Sequence, residues 1–178
     1  MSKHLGLLTK VDNTGTKWYR RVLNVGDTAI SAGNLVEVAY DAHSTTPLNL
    51  TAHYGISSDY NLCRLISGDA AMYNSPVKRV LGVAVGAIQE KGAAAGDVRY
   101  YDGWVQYRGA AQVCSREPVT ANTLVCVASS TTGFGKGHGA CMATADGEDA
   151  ASGAIGMCLC STGAGGGYDW TWVYLWLG

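Results

Sequence analysis

The sequence predicts an all-β protein, a compact β-barrel or tulip-like sandwich, and three observations carry that expectation. Glycine accounts for 24 of 178 residues against only 3 prolines, so the glycines serve tight turns rather than a proline-rich disordered composition. No window of about 12 residues places apolar side chains at i, i+3, i+4 and i+7 with polar residues between them and caps at its ends. Short β-branched and aromatic runs instead alternate with turns marked by glycine or asparagine.

Taken in order, residues 1–21 read as an extended N-terminal arm, polar and irregular, with a turn signal at Asp12-Asn-Thr-Gly15. The arm closes on Lys17-Trp-Tyr-Arg-Arg21, whose mixed aromatic and cationic side chains suit base stacking, docking on another protein, or an ordinary edge strand. Residues 22–178 read as a single barrel domain, since this length holds one compact unit.

Inside that domain a phrase recurs: Ile30-Ser-Ala-Gly-Asn-Leu-Val-Glu-Val38, Ala93-Ala-Ala-Gly-Asp-Val-Arg-Tyr-Tyr101 and Val119-Thr-Ala-Asn-Thr-Leu-Val-Cys-Val127. Each has small residues, a Gly or Asn that tolerates positive φ, and then a strand. A second phrase pairs Val80-Leu-Gly-Val-Ala-Val-Gly86 with Ala154-Ile-Gly-Met-Cys-Leu-Cys160, each read as a buried strand that bends at its third-position glycine.

Asp102-Gly103, between two alternating aromatic runs, signals a two-residue hairpin turn that pairs Tyr101 with Trp104. That pairing places Val98, Tyr100, Val105 and Tyr107 on the core face, with Arg99, Tyr101, Trp104 and Gln106 opposite. The stretch from Asp41 to Ser75 breaks the pattern and reads as a loop insertion at one end of the barrel. The last strand, Asp169-Trp-Thr-Trp-Val-Tyr-Leu-Trp-Leu-Gly178, puts Val173, Leu175 and Leu177 on one face and Trp170, Trp172, Tyr174 and Trp176 on the other. Four such side chains exceed what a monomer usually leaves bare, so a second sheet, the arm or another subunit is expected to cover them.

Lys plus Arg is 13 and Asp plus Glu is 14, for a net charge of −1, so no global field draws in nucleic acid or an anionic membrane. No run of 18 apolar residues occurs, and the apolar stretch near Met1 is too short for a secretory signal, which predicts a protein made in a reducing cytoplasm. The six cysteines are therefore expected as free, mostly buried thiols. His138, Cys141, Cys158 and Cys160 lack the paired spacing of a zinc site, and no nucleophile or phosphate-loop motif is present. No enzyme activity and no cofactor are expected.

The order of motifs runs from Ala32-Gly33-Asn34 through Leu81-Gly-Val-Ala-Val, Ala95-Gly-Asp-Val and Gly103-Trp-Val-Gln to Ile155-Gly-Met-Cys-Leu. Over roughly residues 22–178 it resembles the small β-barrel capsid decoration (cement) proteins of tailed bacteriophages. The Asp41–Ser75 stretch and the six cysteines depart from that pattern. The resemblance implies a non-enzymatic protein, commonly a homotrimer, on the outside of the virion, where it clamps neighbouring major capsid subunits. Trp18, Tyr19, Arg20 and Arg21 on the arm and Trp170, Trp172, Tyr174 and Trp176 on the last strand are the interface candidates. In this reading the arm lies across a neighbour with Trp18 as an anchor, while Arg20 and Arg21 pair with acidic residues. The alternative is a receptor- or glycan-binding module of the tail or fibre, using Tyr54, Tyr60 and Trp104.

Overall fold

The structure is a computed structural model that describes residues 9–38, 61–66, 80–90, 101–115, 118–127, 141–143, 154–162 and 169–177. Every regular element among them is a strand, as the sequence predicts. In chain order these are β1 (Thr9–Val11), β2 (Trp18–Asn24), β3 (Leu35–Val38), β4 (Asn61–Leu65), β5 (Val80–Ala84), β6 (Tyr101–Ser115), β7 (Leu124–Val127), β8 (Cys141–Ala143), β9 (Gly156–Cys158) and β10 (Asp169–Trp176).

Strands β2, β4, β3, β5 and the first half of β6 pair in that order, and β6 pairs back onto β2 to close a five-stranded barrel. The second half of β6 continues into β10, β9, β7 and β8. This second circuit returns to β6 through one parallel pair, Ser115 with Cys141.

The second circuit repeats the first pair by pair. Val38 faces Cys63 as Val127 faces Cys141, Asn24 lies beside Cys63 as Ser115 lies beside Cys141, and Ala84 faces Val105 as Cys158 faces Val173. Backbone hydrogen bonds follow suit. Gly33 N donates to Ala84 O and Asn122 N to Cys158 O, both at 2.8 Å; Val85 N donates to Trp104 O at 3.0 Å and Leu159 N to Trp172 O at 2.7 Å. β6 is thus the last strand of one set and, in its second half, the first strand of the next.

The recurring phrases in the sequence are the visible part of this repeat. Ser31 O accepts from Asn34 N at 3.1 Å and Thr120 O from Thr123 N at 3.3 Å, and the third residue of each turn has positive φ, 80° at Gly33 and 66° at Asn122. Asparagine fits there because its short polar side chain tolerates the left-handed region better than other non-glycine residues. The two third-position glycines are also equivalent: a Cβ on Gly82 would lie 2.5 Å from Gln106 O, and one on Gly156 would lie 2.4 Å from Tyr174 O. Residues 91–100, which hold most of the third copy of the first phrase, lie outside the described residues.

Two apolar clusters fill the interior. Val22, Ile30, Val36, Cys63, Leu81, Ala84, Ile88 and Val105 pack inside the barrel. Val113, Val125, Cys141, Ile155, Cys158, Val173 and Leu175 lead the second cluster, which Leu35, Ile66 and Val83 join from the first set. The backs of β3 and β5 therefore bury their apolar side chains against the second circuit.

Three sequence expectations are corrected. Asp102-Gly103 is no hairpin turn: β6 runs straight through it, with Asp102 opposite Leu23 and Gly103 opposite Val22. The glycine serves packing, since a Cβ there would meet Ile88 side-chain atoms at 2.4 Å. Val105 is core as expected, but Gln106 is buried too, because its Nε2 donates to the carbonyls of Arg108 and Ala110. The expected insertion contains a barrel strand, β4, between β2 and β3; its polar residues hide it, among them Arg64, which pairs with Glu37 across the β3–β4 register. Apart from Ile66, the rest of 41–75 lies outside the described residues.

Trp18–Arg21 likewise belong to β2, so the barrel begins at Trp18 rather than at residue 22, and β1 pairs with β2 as a hairpin. Residues 1–8 of the expected arm lie outside the described residues. The hairpin turn is held by Asp12, whose carboxylate accepts from Thr16 N at 2.8 Å, Lys17 N at 3.0 Å and Thr14 Oγ1 at 2.7 Å. The Lys17 amide foremost, then the Thr14 hydroxyl and Thr16, hold this carboxyl at about 2, below its usual 3.8. The turn is therefore fully supported above 3.8 and loses that support as pH falls through about 2. An NMR titration should show the Thr16 and Lys17 amides moving with a midpoint near the lower value, whereas a midpoint of about 4 would mean that the carboxylate is unbound in solution.

Candidate interaction surface

The eight sequence candidates separate into two groups. On β2, Trp18 meets Tyr107 edge-on at 6.4 Å between ring centroids, and the Arg108 guanidinium lies 5.9 Å from the Trp18 ring. Arg20 stacks over Tyr107 at 4.1 Å; it is half-buried, its Nε has no hydrogen-bond partner, and burial pulls its pKa down. Arg21 pairs with Asp102 across β2–β6, with Nε donating at 2.8 Å, so this expected docking cation already has a carboxylate. Tyr19 lies under Lys10, whose Nζ is 5.4 Å from its ring, and burial, with Asp12 nearby, pushes its hydroxyl pKa up.

On β10 the alternation behaves as the sequence predicts. Thr171, Val173 and Leu175 are fully buried, while Trp170, Trp172, Tyr174 and Trp176 point outward with 48%, 43%, 44% and 45% of their surface exposed. No second sheet covers them among the described residues. Contacts on their flanks hold the row in place. Trp170 lies against the Gly33 turn, where a Cβ would meet its ring at 1.9 Å, and Lys17 Nζ stands 5.8 Å from the Trp172 ring. Opposite the row, β6 offers Ala110 to Tyr174, Gln112 to Trp172 and Arg108 to Trp176, and β9 offers Met157 to Tyr174. Leu159, bonded through its backbone to Trp172, adds an exposed aliphatic side chain that sequence reasoning missed. Its signal was available: it follows buried Cys158 and lies two residues from half-buried Met157, so alternation from Cys158 turns it outward.

The internal repeat shows what is particular to this face. By register, Asp102, Trp104 and Gln106 of β6 correspond to Trp170, Trp172 and Tyr174 of β10, while Tyr19 and Arg21 of β2 correspond to Ala110 and Gln112. In the first set Trp104 is roofed by the hairpin, with Lys10 Nζ 4.2 Å from its ring. In the second set polar positions have become aromatic, and the flanking large residues have become small or neutral. Among the described residues, one circuit thus covers its outer tryptophan with the hairpin, and the other leaves an apolar face exposed.

Other chemistry is sparse on the described surface. Burial pushes the Cys63 thiol up and the Cys141 thiol up to about 12, so both stay protonated and unreactive at neutral pH. Among the described residues no group of three or more His, Cys, Asp or Glu is placed to hold a metal, and no helix is long and apolar enough to cross a membrane. His138 lies outside the described residues, as do Tyr54 and Tyr60. No protein-family model matches the chain, and a search of curated proteins finds no significant match.

Proposed function

We propose that this chain is a structural protein of a bacteriophage head, which binds the outside of the shell and clamps neighbouring major capsid subunits. The observation that carries this reading is the open aromatic face of β10, built on a strand whose other side is locked in the core. Rigid aromatic side chains give large contact area at little entropic cost, which suits a protein whose work is association. Repetition around a symmetric shell then multiplies modest contacts into firm attachment. Homotrimeric assembly and a place on the virion exterior belong to the same reading.

The test is co-sedimentation of the purified chain with expanded shells of the major capsid protein from the same virus. Saturable binding at a fixed ratio to capsid subunits, with a raised temperature of shell disruption, is the expected result. Absence of saturable binding would overturn the proposal. The glycan-binding alternative is less favoured by geometry, because Trp104 lies under Lys10 rather than open to a sugar ring.

A further inference from the structure

We infer that the column of cations and rings at the start of β2 binds an acidic segment of a partner protein, with Arg20 and Arg108 each taking a carboxylate. The site is built from β2 and β6, and the inference stands whether or not the chain belongs to a capsid. Its four side chains form one series of contacts: Arg20 lies 4.1 Å from the Tyr107 ring, Tyr107 meets Trp18 edge-on at 6.4 Å, and Arg108 lies 5.9 Å from the Trp18 ring. The backbone holds them there. Trp18 and Arg108 are register partners, and the Gln106 amide donates to Arg108 O at 3.1 Å. The end of the hairpin presses on Gly109, where a Cβ would lie 2.2 Å from Thr16 O.

What these two cations lack is a counter-ion. Among the described residues the ion pairs are Arg21 with Asp102 and Arg64 with Glu37, and neither Arg20 nor Arg108 takes part. Burial lowers the Arg20 pKa, opposed by the Tyr107 hydroxyl rather than by any carboxylate. A ring face orients a guanidinium without neutralising it. The repeat shows that the barrel does not need this charge. By register Arg20 corresponds to Ala111 and Tyr107 to Leu175, both buried in the second cluster. One circuit fills the position with apolar side chains. The other sets a half-buried, unpaired arginine there, which costs stability until an anion meets it.

Three features select carboxylates on a protein segment. Each ring already holds a cation of its own chain and meets the other ring at an edge, which is a poor platform for the successive stacked bases of a single strand. Arg20 Nε is shut from solvent and unpaired, so the side chain offers its two terminal nitrogens, an end-on fork that one carboxylate fills. The contacts in series keep the two guanidiniums no further apart than a few residues of extended chain, so one segment reaches both.

The experiment is calorimetric titration of the full chain with a synthetic oligoglutamate peptide at low salt. Saturable binding of one peptide per chain, weakened by added salt, is the expected result. Arg20→Met and Arg108→Met should each raise the Kd about tenfold or more. Arg20→Met should do so without lowering the melting temperature, since methionine fills the space without an unpaired charge. Lys10→Met removes the same charge on the other face of the hairpin, where Lys10 is paired with Tyr19, and should change the Kd less than about twofold. Should Arg20→Met fail to fold, Arg108→Met decides alone, because Arg108 is exposed.

Lack of saturable binding would overturn the inference. So would equal weakening by all three variants, which reduces the effect to net charge, or a lower melting temperature in Arg20→Met with binding unchanged, which makes Arg20 structural. Tighter binding of an oligothymidylate of equal charge, lost in Arg20→Met, would give the site to nucleic acid instead. Displacement of the peptide by inorganic phosphate at equal concentration of charge would give it to an isolated oxyanion.

Discussion

Replacing Gly156 by alanine is expected to lower stability by about 3 kcal/mol and the melting temperature by about 9 °C. The added Cβ would lie 2.4 Å from Tyr174 O and 2.6 Å from Val173 Cγ1. The first of these is backbone, held in the β9–β10 ladder on one side and close to the β6–β10 ladder on the other. It cannot step back without breaking strand pairing, so the strain stays in the sheet rather than relaxing into a rotamer change. Gly86→Ala is the control, because a Cβ there meets nothing within 4 Å, and it should change the melting temperature by less than about 2 °C. Tryptophan fluorescence during thermal unfolding reads both, and equal melting temperatures for the two variants would refute the close approach at Gly156.

Asn24→Ala should cost about as much, by the opposite route of removing atoms instead of adding them. Asn24 is fully buried; its Nδ2 donates to Thr28 O at 3.0 Å and Gln89 O at 2.8 Å, and its Oδ1 accepts from Gly26 N at 3.0 Å. Alanine strands three backbone groups that this one side chain satisfied, at about 1–3 kcal/mol for each that water cannot reach. A loss of about 3 kcal/mol in urea unfolding with an unchanged m-value is the expected outcome. Ser115 occupies the corresponding place in the second set, so Asn24→Ser, which keeps one polar atom, should fall between parent and alanine. A serine variant no better than alanine would mean that the amide geometry alone matters.

The elements set by local chemistry were legible in the sequence, and those set by distant pairing were not. The turns at Gly33 and Asn122 were readable because positive φ restricts the residue types there. The two faces of β10 were readable because strand side chains alternate strictly. Which face met solvent was open, since both are apolar and only the packing of Val173 and Leu175 into the second cluster decides it. Asp102-Gly103 misled because glycine permits a turn and also permits a close neighbour, and Ile88, fourteen or more positions away in sequence, supplies the neighbour. The phrases at Ile30 and Val119 announced repetition, but the sharing of one strand between two sets did not show, because the mark of the switch, Gly109 with φ 89° where pairing passes from β2 to β10, reads in the sequence as one more glycine. Arg21 looked free for the same reason: its partner Asp102 is 81 positions away.

That shared strand has a mechanical consequence. Two bodies joined by a loop can swing, and a load applied to one is dissipated in the joint before it reaches the other. Here the connection is one strand of fifteen residues, paired to β2 and β5 up to a register shift at Tyr107 and to β10 from Arg108 onward, so a pull on β10 is carried along β6 into β2 and β5. Neither half can tilt independently, and neither can peel away without unzipping its neighbour's ladder. The two sets of described strands are thus coupled through continuous backbone rather than through a joint.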